Sequence, residues 1–213
     1  MFPLYDQWQI GGKKIVVLKW LIGLNVLIFL FSLIDLNFYI NKYGLIPKRI
    51  YNGKSLYTIF TSMFFHAEFS HIAGNMWFLW VFGKNMEKRL GRLKFLLFYF
   101  FCGITSAVIY LMLSPNKVLP AIGASGAISG ILGGYIVLFP KNKIISIVPV
   151  FFFIEIIPVS VLFFVGIWFL YQLLYIGSQT MVAYWAHIGG FAAGVLFIKL
   201  FAGKYQYISY DKV

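Results

Sequence analysis

Charge is scarce in this chain, and negative charge scarcest. Of 213 residues only 11% are charged, with 6 Asp plus Glu against 18 Lys plus Arg. A soluble domain carries about 25%, so a surface made from this stock would not stay dispersed in water, and the solvent for most of the chain must be lipid. There is one cysteine, Cys102. It can form no internal disulfide and says nothing of redox compartment; within an apolar run it reads as a small packing residue. No low-complexity tract or linker interrupts residues 1–213, which implies a single domain. Two metal- or acid-based chemistries are also missing. No pair of aspartates lies inside an apolar run, and the nearest approach to His-Glu-x-x-His is His66-Ala-Glu-Phe-Ser-His71, whose spacing is wrong for zinc.

What is present is apolar: 61% hydrophobic and 21% aromatic residues. A helix crossing the hydrocarbon needs about 20 such residues. Six segments meet or approach this, at 15–34, 70–86, 95–113, 122–140, 158–176 and 185–202, the last two divided at Gly177-Ser178-Gln179-Thr180. The first is preceded by Lys13 and Lys14 but followed by Asp35-Leu36-Asn37-Phe38 instead of a small-residue cleavage site, so it reads as a retained span. The expected fold is an all-α integral membrane protein, a six-helix bundle. Ile144 to Ile157, with Pro149 and Glu155, is too short to cross; it is expected to lie along the inner interface or to lead brokenly into the fifth span.

The net charge of +12 would suit nucleic acid in a soluble protein. Here the basic residues fall between apolar runs, where headgroups and the orientation of the spans account for them. Membrane lipid is thus an expected partner and nucleic acid is not. Alternate loops hold thirteen Lys and Arg on one side, Lys204 and Lys212 among them, and five on the other, Lys42, Lys48, Arg49, Lys54 and Lys117. Both termini are therefore expected in the cytoplasm. The long loop from Asp35 to Phe69 is outside and, being rich in Tyr and Phe, is expected to pack on or into the outer leaflet.

With that topology spans 2, 4 and 6 enter the membrane from outside, and their first turns hold His71 and Asn75, then Ser125, then His187. Polar groups in a span are costly and usually functional. Taken singly, a serine in a Gly-rich helix is most often a contact residue, and a histidine a proton relay or an interhelical bond. Their common depth favours catalysis. Span 4 carries Gly123, Gly126, Gly130, Gly133 and Gly134, and span 6 Gly189, Gly190, Ala193 and Gly194, a spacing that lets backbones come close in lipid. Such closeness brings the hydroxyl of Ser125 to the imidazole of His187, a base able to take its proton near neutral pH. His71 and Asn75, four apart, share a helix face and can donate to an oxyanion together with the Ser125 N–H. No acid is placed to complete a triad. Orientation of the imidazole is left to packing. His66 either packs at the mouth of the site or is solvated, and Glu87 with Arg89 is expected to form an inner-face ion pair.

These pieces together resemble the rhomboid family of intramembrane serine proteases. The matching strings are His66-Ala-Glu-Phe-Ser-His71-Ile-Ala-Gly-Asn75, Glu87-Lys-Arg-Leu-Gly91, Gly123-Ala-Ser-Gly126 and Ala186-His187-Ile-Gly-Gly190, over about Leu56 to Gly203. The resemblance implies Ser125 as nucleophile, His187 as general base, and His71 with Asn75 at the oxyanion. It also implies single-pass transmembrane proteins as substrates, no cofactor and no metal, and a multi-pass protein of the plasma membrane whose site opens outward. Two features depart from the family pattern. Ser129 stands where many members have an aromatic beneath the imidazole, and the Trp-Arg pair of the outer loop is absent, with Leu56-Tyr57 nearby. Competing readings are a protease-dead relative that binds membrane clients, against which both Ser125 and His187 speak, and a transporter relaying protons through His71 and His187, for which no internal repeat is visible.

Overall fold

A computed structural model of the chain describes residues 1–150, 153–178, 182–203 and 210–212. Strands β1 (Phe2–Asp6) and β2 (Trp8–Ile10) precede helix α1 (Val17–Ser32). Three short helices, α2 (Leu36–Tyr43), α3 (Pro47–Tyr51) and α4 (Thr58–Thr61), lead to α5 (Phe69–Leu90), α6 (Arg92–Leu113) and α7 (Ser125–Leu138). A hairpin of β3 (Lys143–Val150) and β4 (Phe153–Ser160) separates α7 from α8 (Val161–Leu174), which is followed by α9 (Tyr184–Ala202) and β5 (Tyr210–Lys212). The six long helices fall on the six expected segments. Two of them, α6 and α9, are each long and apolar enough to cross a membrane. Gln179 and Thr180 of the expected turn, and Lys204 of the charge count, lie outside the described residues.

Helix α7 is the axis of the bundle. Every residue from Gly126 to Tyr135 is buried, because its glycines admit neighbouring backbones: a side chain on Gly133 would meet the Phe191 carbonyl, and one on Gly194 of α9 the Gly130 carbonyl. Cys102 of α6 is buried against Gly130, in the packing role expected of it. At 14 residues α7 is about 21 Å long, short of a hydrocarbon core of about 30 Å. The chain before it is irregular, and irregular backbone at membrane depth must be satisfied by protein. The Asp35–Phe69 loop does this. Leu45 forms a bridge with Ala121, Lys48 N–H donates to Lys117 O at 2.8 Å, and Gly123 N–H to Ser62 O at 2.9 Å. Its aromatics stack on one another, Tyr43 on Phe65 at 4.9 Å, and Tyr57 donates to Lys42 O at 3.0 Å where the Trp-Arg pair is missing.

The all-α expectation needs correction, Ile144 to Ile157 included. That segment forms strands, in a three-stranded antiparallel sheet ordered β1-β3-β4. Its Ile and Val residues suit a pleated surface. Pro149 lies beyond the stretch of β3 that pairs with β1, and Pro158 is on the edge strand β4, the positions that proline tolerates in a sheet. The partner strand lies some 140 residues earlier in the chain, where no local pattern points to it. The sheet runs along α5: Phe2 stacks on Trp77 at 5.6 Å, and Trp77 donates to Pro3 O.

At the other end of α5 the expected Glu87–Arg89 pair is replaced by two caps. Glu87 accepts from the N–H groups of Val16, Val17 and Leu18 at 2.8–2.9 Å, and Arg89 donates to Ala202 O at 3.2 Å. Each charge thus meets the helix end whose orphan groups and dipole favour it.

The N-terminal segment docks through Asp6, which is buried and accepts from Asn85, Asn142, Tyr135 and the Trp8 N–H. Burial raises its carboxyl from an ordinary 3.8 to about 6, against the pull of these donors and of Lys84. The folded protein therefore holds this proton more tightly than the unfolded chain. The contribution is fully present below about pH 4 and lost as pH rises through about 6, on the order of 3 kcal/mol at most. Thermal unfolding in detergent should show a midpoint that falls between these pH values, and Asp6→Asn should flatten that fall. An unchanged slope in Asp6→Asn would mean that Asp6 is not its source.

Candidate active site

Ser125 is the first residue of α7 and His187 lies in the first turn of α9. The glycine faces bring these helices together: a Cβ on Gly190 would strike the Gly126 carbonyl. Ser106 of α6 ties the same region by donating to Ala186 O at 2.8 Å. As a result His187 Nε2 lies 2.9 Å from Ser125 Oγ. At that distance a neutral imidazole can accept the hydroxyl proton as the oxygen attacks a carbonyl.

His71 and Asn75, on the first turns of α5, face the residue two before the serine. Gly123 has φ +111°, and a Cβ there would sit 2.7 Å from His71 Nε2 and 3.7 Å from Asn75 Nδ2. Glycine is required here twice, by the backbone and by the space. The Asn75 amide also donates to His71 O at 2.9 Å, which holds it on this side of the helix. The leading N–H groups of α7 have no intrahelical acceptor. A cavity of about 30 Å³ lies beside Ser125, lined by Met63, Gly103, Ser106 and Tyr110, room for a single water. An open cleft of about 740 Å³, lined by Asn116, Lys117, Tyr184 and Trp185, shares Tyr110 and Ala183 with it. Among the described residues no group of three or more His, Cys, Asp or Glu is placed to hold a metal ion.

His66 is not solvated. It is fully buried, its ring edge-on to His71 at 5.0 Å, and its Nε2 accepts from the Ala124 N–H at 3.4 Å. Burial, with His71 adding, pushes its imidazole down to about 3, so it stays neutral and serves as an acceptor for the backbone just before the serine. The imidazole of His187 is likewise not left to packing. Its Nδ1 is 2.7 Å from Gln172 Oε1, and the rings of Trp168 and Tyr184 flank it at 6.2 and 6.4 Å. Ser129 turns away, donating to Ser125 O at 2.7 Å. Gln172 escaped the sequence reading, although a signal existed: it is the one amide in a helix otherwise apolar or aromatic, where an unpartnered amide is costly.

Comparison with known proteins bears on this geometry. The family model described as Rhomboid domain matches residues 53–204. Rhomboid protein 1, mitochondrial, of Saccharomyces cerevisiae is 37% identical over 43% of this chain and 28% of its own length. Rhomboid protease GluP of Bacillus subtilis is 35% identical over 40% and 16%. Rhomboid-like protein 11, chloroplastic, of Arabidopsis thaliana is 32% identical over 38% and 29%. The chain thus matches less than a third of the length of these relatives. Their names point to mitochondrion and chloroplast as well as to a bacterium, so the expected plasma membrane is not supported. What stands is a helical protein integral to a membrane.

Proposed function

Since this chain belongs to the rhomboid family, we propose that it is an intramembrane serine endopeptidase that cuts transmembrane segments of single-pass membrane proteins. The observation that carries this reading is the 2.9 Å approach of His187 Nε2 to Ser125 Oγ. A client-binding protein without activity has no use for a hydroxyl held at hydrogen-bonding distance from a base. The chain forms one domain of six spans, α1, α5, α6, α7, α8 and α9, with both termini on the cytoplasmic face where thirteen of the basic residues collect. The site then opens on the opposite face. Ser125 Oγ attacks the scissile carbonyl carbon and its proton passes to His187 Nε2, which later protonates the leaving amine. His71, Asn75 and the Ser125 N–H donate to the oxyanion. No cofactor takes part.

The test is cleavage of a panel of single-pass spans in liposomes, together with labelling by a fluorophosphonate probe, which marks only an activated serine. A wild-type protein inert in both would end the reading. Within the same assay, Asn75→Ala removes one of several oxyanion donors. It should slow cleavage by about a hundred- to a thousandfold, as loss of one such donor does elsewhere, and His71→Ala should act alike. Turnover by either variant equal to wild type would remove that residue from the oxyanion site.

A further inference from the structure

We propose that Gln172 is a positioning residue for the reaction, fixing both the tautomer and the aim of the His187 imidazole; this deepens the protease reading and rests on it. Gln172 is 4% exposed, and both ends of its amide are engaged. Its Nε2 donates to Trp168 O at 3.1 Å, one turn back on α8. Its Oε1 lies 2.7 Å from His187 Nδ1. The reverse orientation would set the amide oxygen against the Trp168 carbonyl, acceptor facing acceptor, so the Trp168 bond decides which end of the amide the histidine meets.

A carbonyl oxygen only accepts. Nδ1 must therefore carry the proton of the neutral imidazole. The lone pair is left on Nε2, the nitrogen 2.9 Å from Ser125 Oγ. Of the two neutral tautomers only this one can act as base toward the serine. When Nε2 takes the Ser125 proton as the Oγ–carbon bond forms, the Nδ1–H stays bound to Gln172, whose amide dipole faces the new positive charge. In soluble triads a carboxylate has this task. A neutral amide supplies an acceptor without burying a second charge, whose desolvation in this setting would be costly. Trp168 and Gln172, four apart on α8, lie on one helix face, so α8 presents to α9 both the acceptor and the ring beside the imidazole.

The experiment compares Gln172→Met, similar in size without an acceptor, with Gln172→Glu, whose carboxyl, protonated in this buried setting, keeps an accepting oxygen at the same reach and a hydroxyl to donate to Trp168 O. Turnover of a single-pass substrate in proteoliposomes is measured with the thermal unfolding midpoint. For Gln172→Met, kcat should fall about ten- to a hundredfold, the range lost when the partner orienting a metal-binding histidine is removed, while KM and the midpoint hold. Gln172→Glu should recover most of the loss. Wild-type kcat in Gln172→Met, or equal losses in both variants, would reduce Gln172 to a packing residue. A wild type no more active than Ser125→Ala would instead overturn the protease reading itself; an active wild type beside an unimpaired Gln172→Met overturns only this inference.

Discussion

Ser125→Ala should leave neither cleavage of a transmembrane substrate nor labelling by a fluorophosphonate, while the protein still inserts and unfolds at the wild-type temperature. The hydroxyl is small and sits at the start of α7, so its removal opens almost no space and the loss falls on chemistry alone. His187→Ala should be nearly as severe on both measures, since an unassisted serine hydroxyl is a weak nucleophile. In a soluble serine protease, removing either member of such a pair costs on the order of a millionfold in kcat, about as much as removing the whole set. The double variant should therefore be no worse than either single one, which sets a nucleophile and its base apart from two independent contributors. Cleavage retained in Ser125→Ala, or His187→Ala at wild-type rate, would place the chemistry elsewhere in the molecule.

The second large effect arises away from the reacting atoms. Gly190→Leu places four carbons where Gly190 now meets the Gly126 carbonyl, a backbone atom that has no rotamer by which to yield. Helix α9 must move from α7, and His187 moves with it. A displacement of about 1 Å from a reactive geometry can cost on the order of a hundredfold, so turnover should fall by at least that much although no reacting group is altered. Gly23→Leu on α1 is the control: a Cβ there meets nothing within 4 Å, so insertion and turnover should stay as in wild type. If Gly190→Leu cleaves at the wild-type rate, the close contact of α7 and α9 does not set the 2.9 Å approach of base to nucleophile.

Much of this was legible in the sequence because lipid imposes a simple code. Hydrophobic run lengths placed six helices to within a few residues, since spanning a fixed thickness demands a fixed length. Glycines at intervals of three and four on spans 4 and 6 indicated which helices touch. Polar residues at one depth in otherwise apolar segments singled out Ser125, His187, His71 and Asn75, because in that solvent such groups are costly unless used. Other features needed the tertiary structure, each for a physical reason. The partner of β3 is β1, some 140 residues away, and a strand pairing at that separation leaves no local periodicity to read. Charge proximity in sequence suggested that Glu87 and Arg89 pair, yet a separation of two residues sets them on nearly opposite faces of one helix, aimed at the ends of two others, α1 and α9. His66 looked like a loop residue until the loop proved to be folded beneath Ala124. Gln172 was a lone amide without a role until α8 and α9 were set side by side, since neither residue number nor helix periodicity gives the distance between two separate helices. The sequence by itself marked which groups are candidates to react; only the packing of α7, α8 and α9 decided which nitrogen faces the serine.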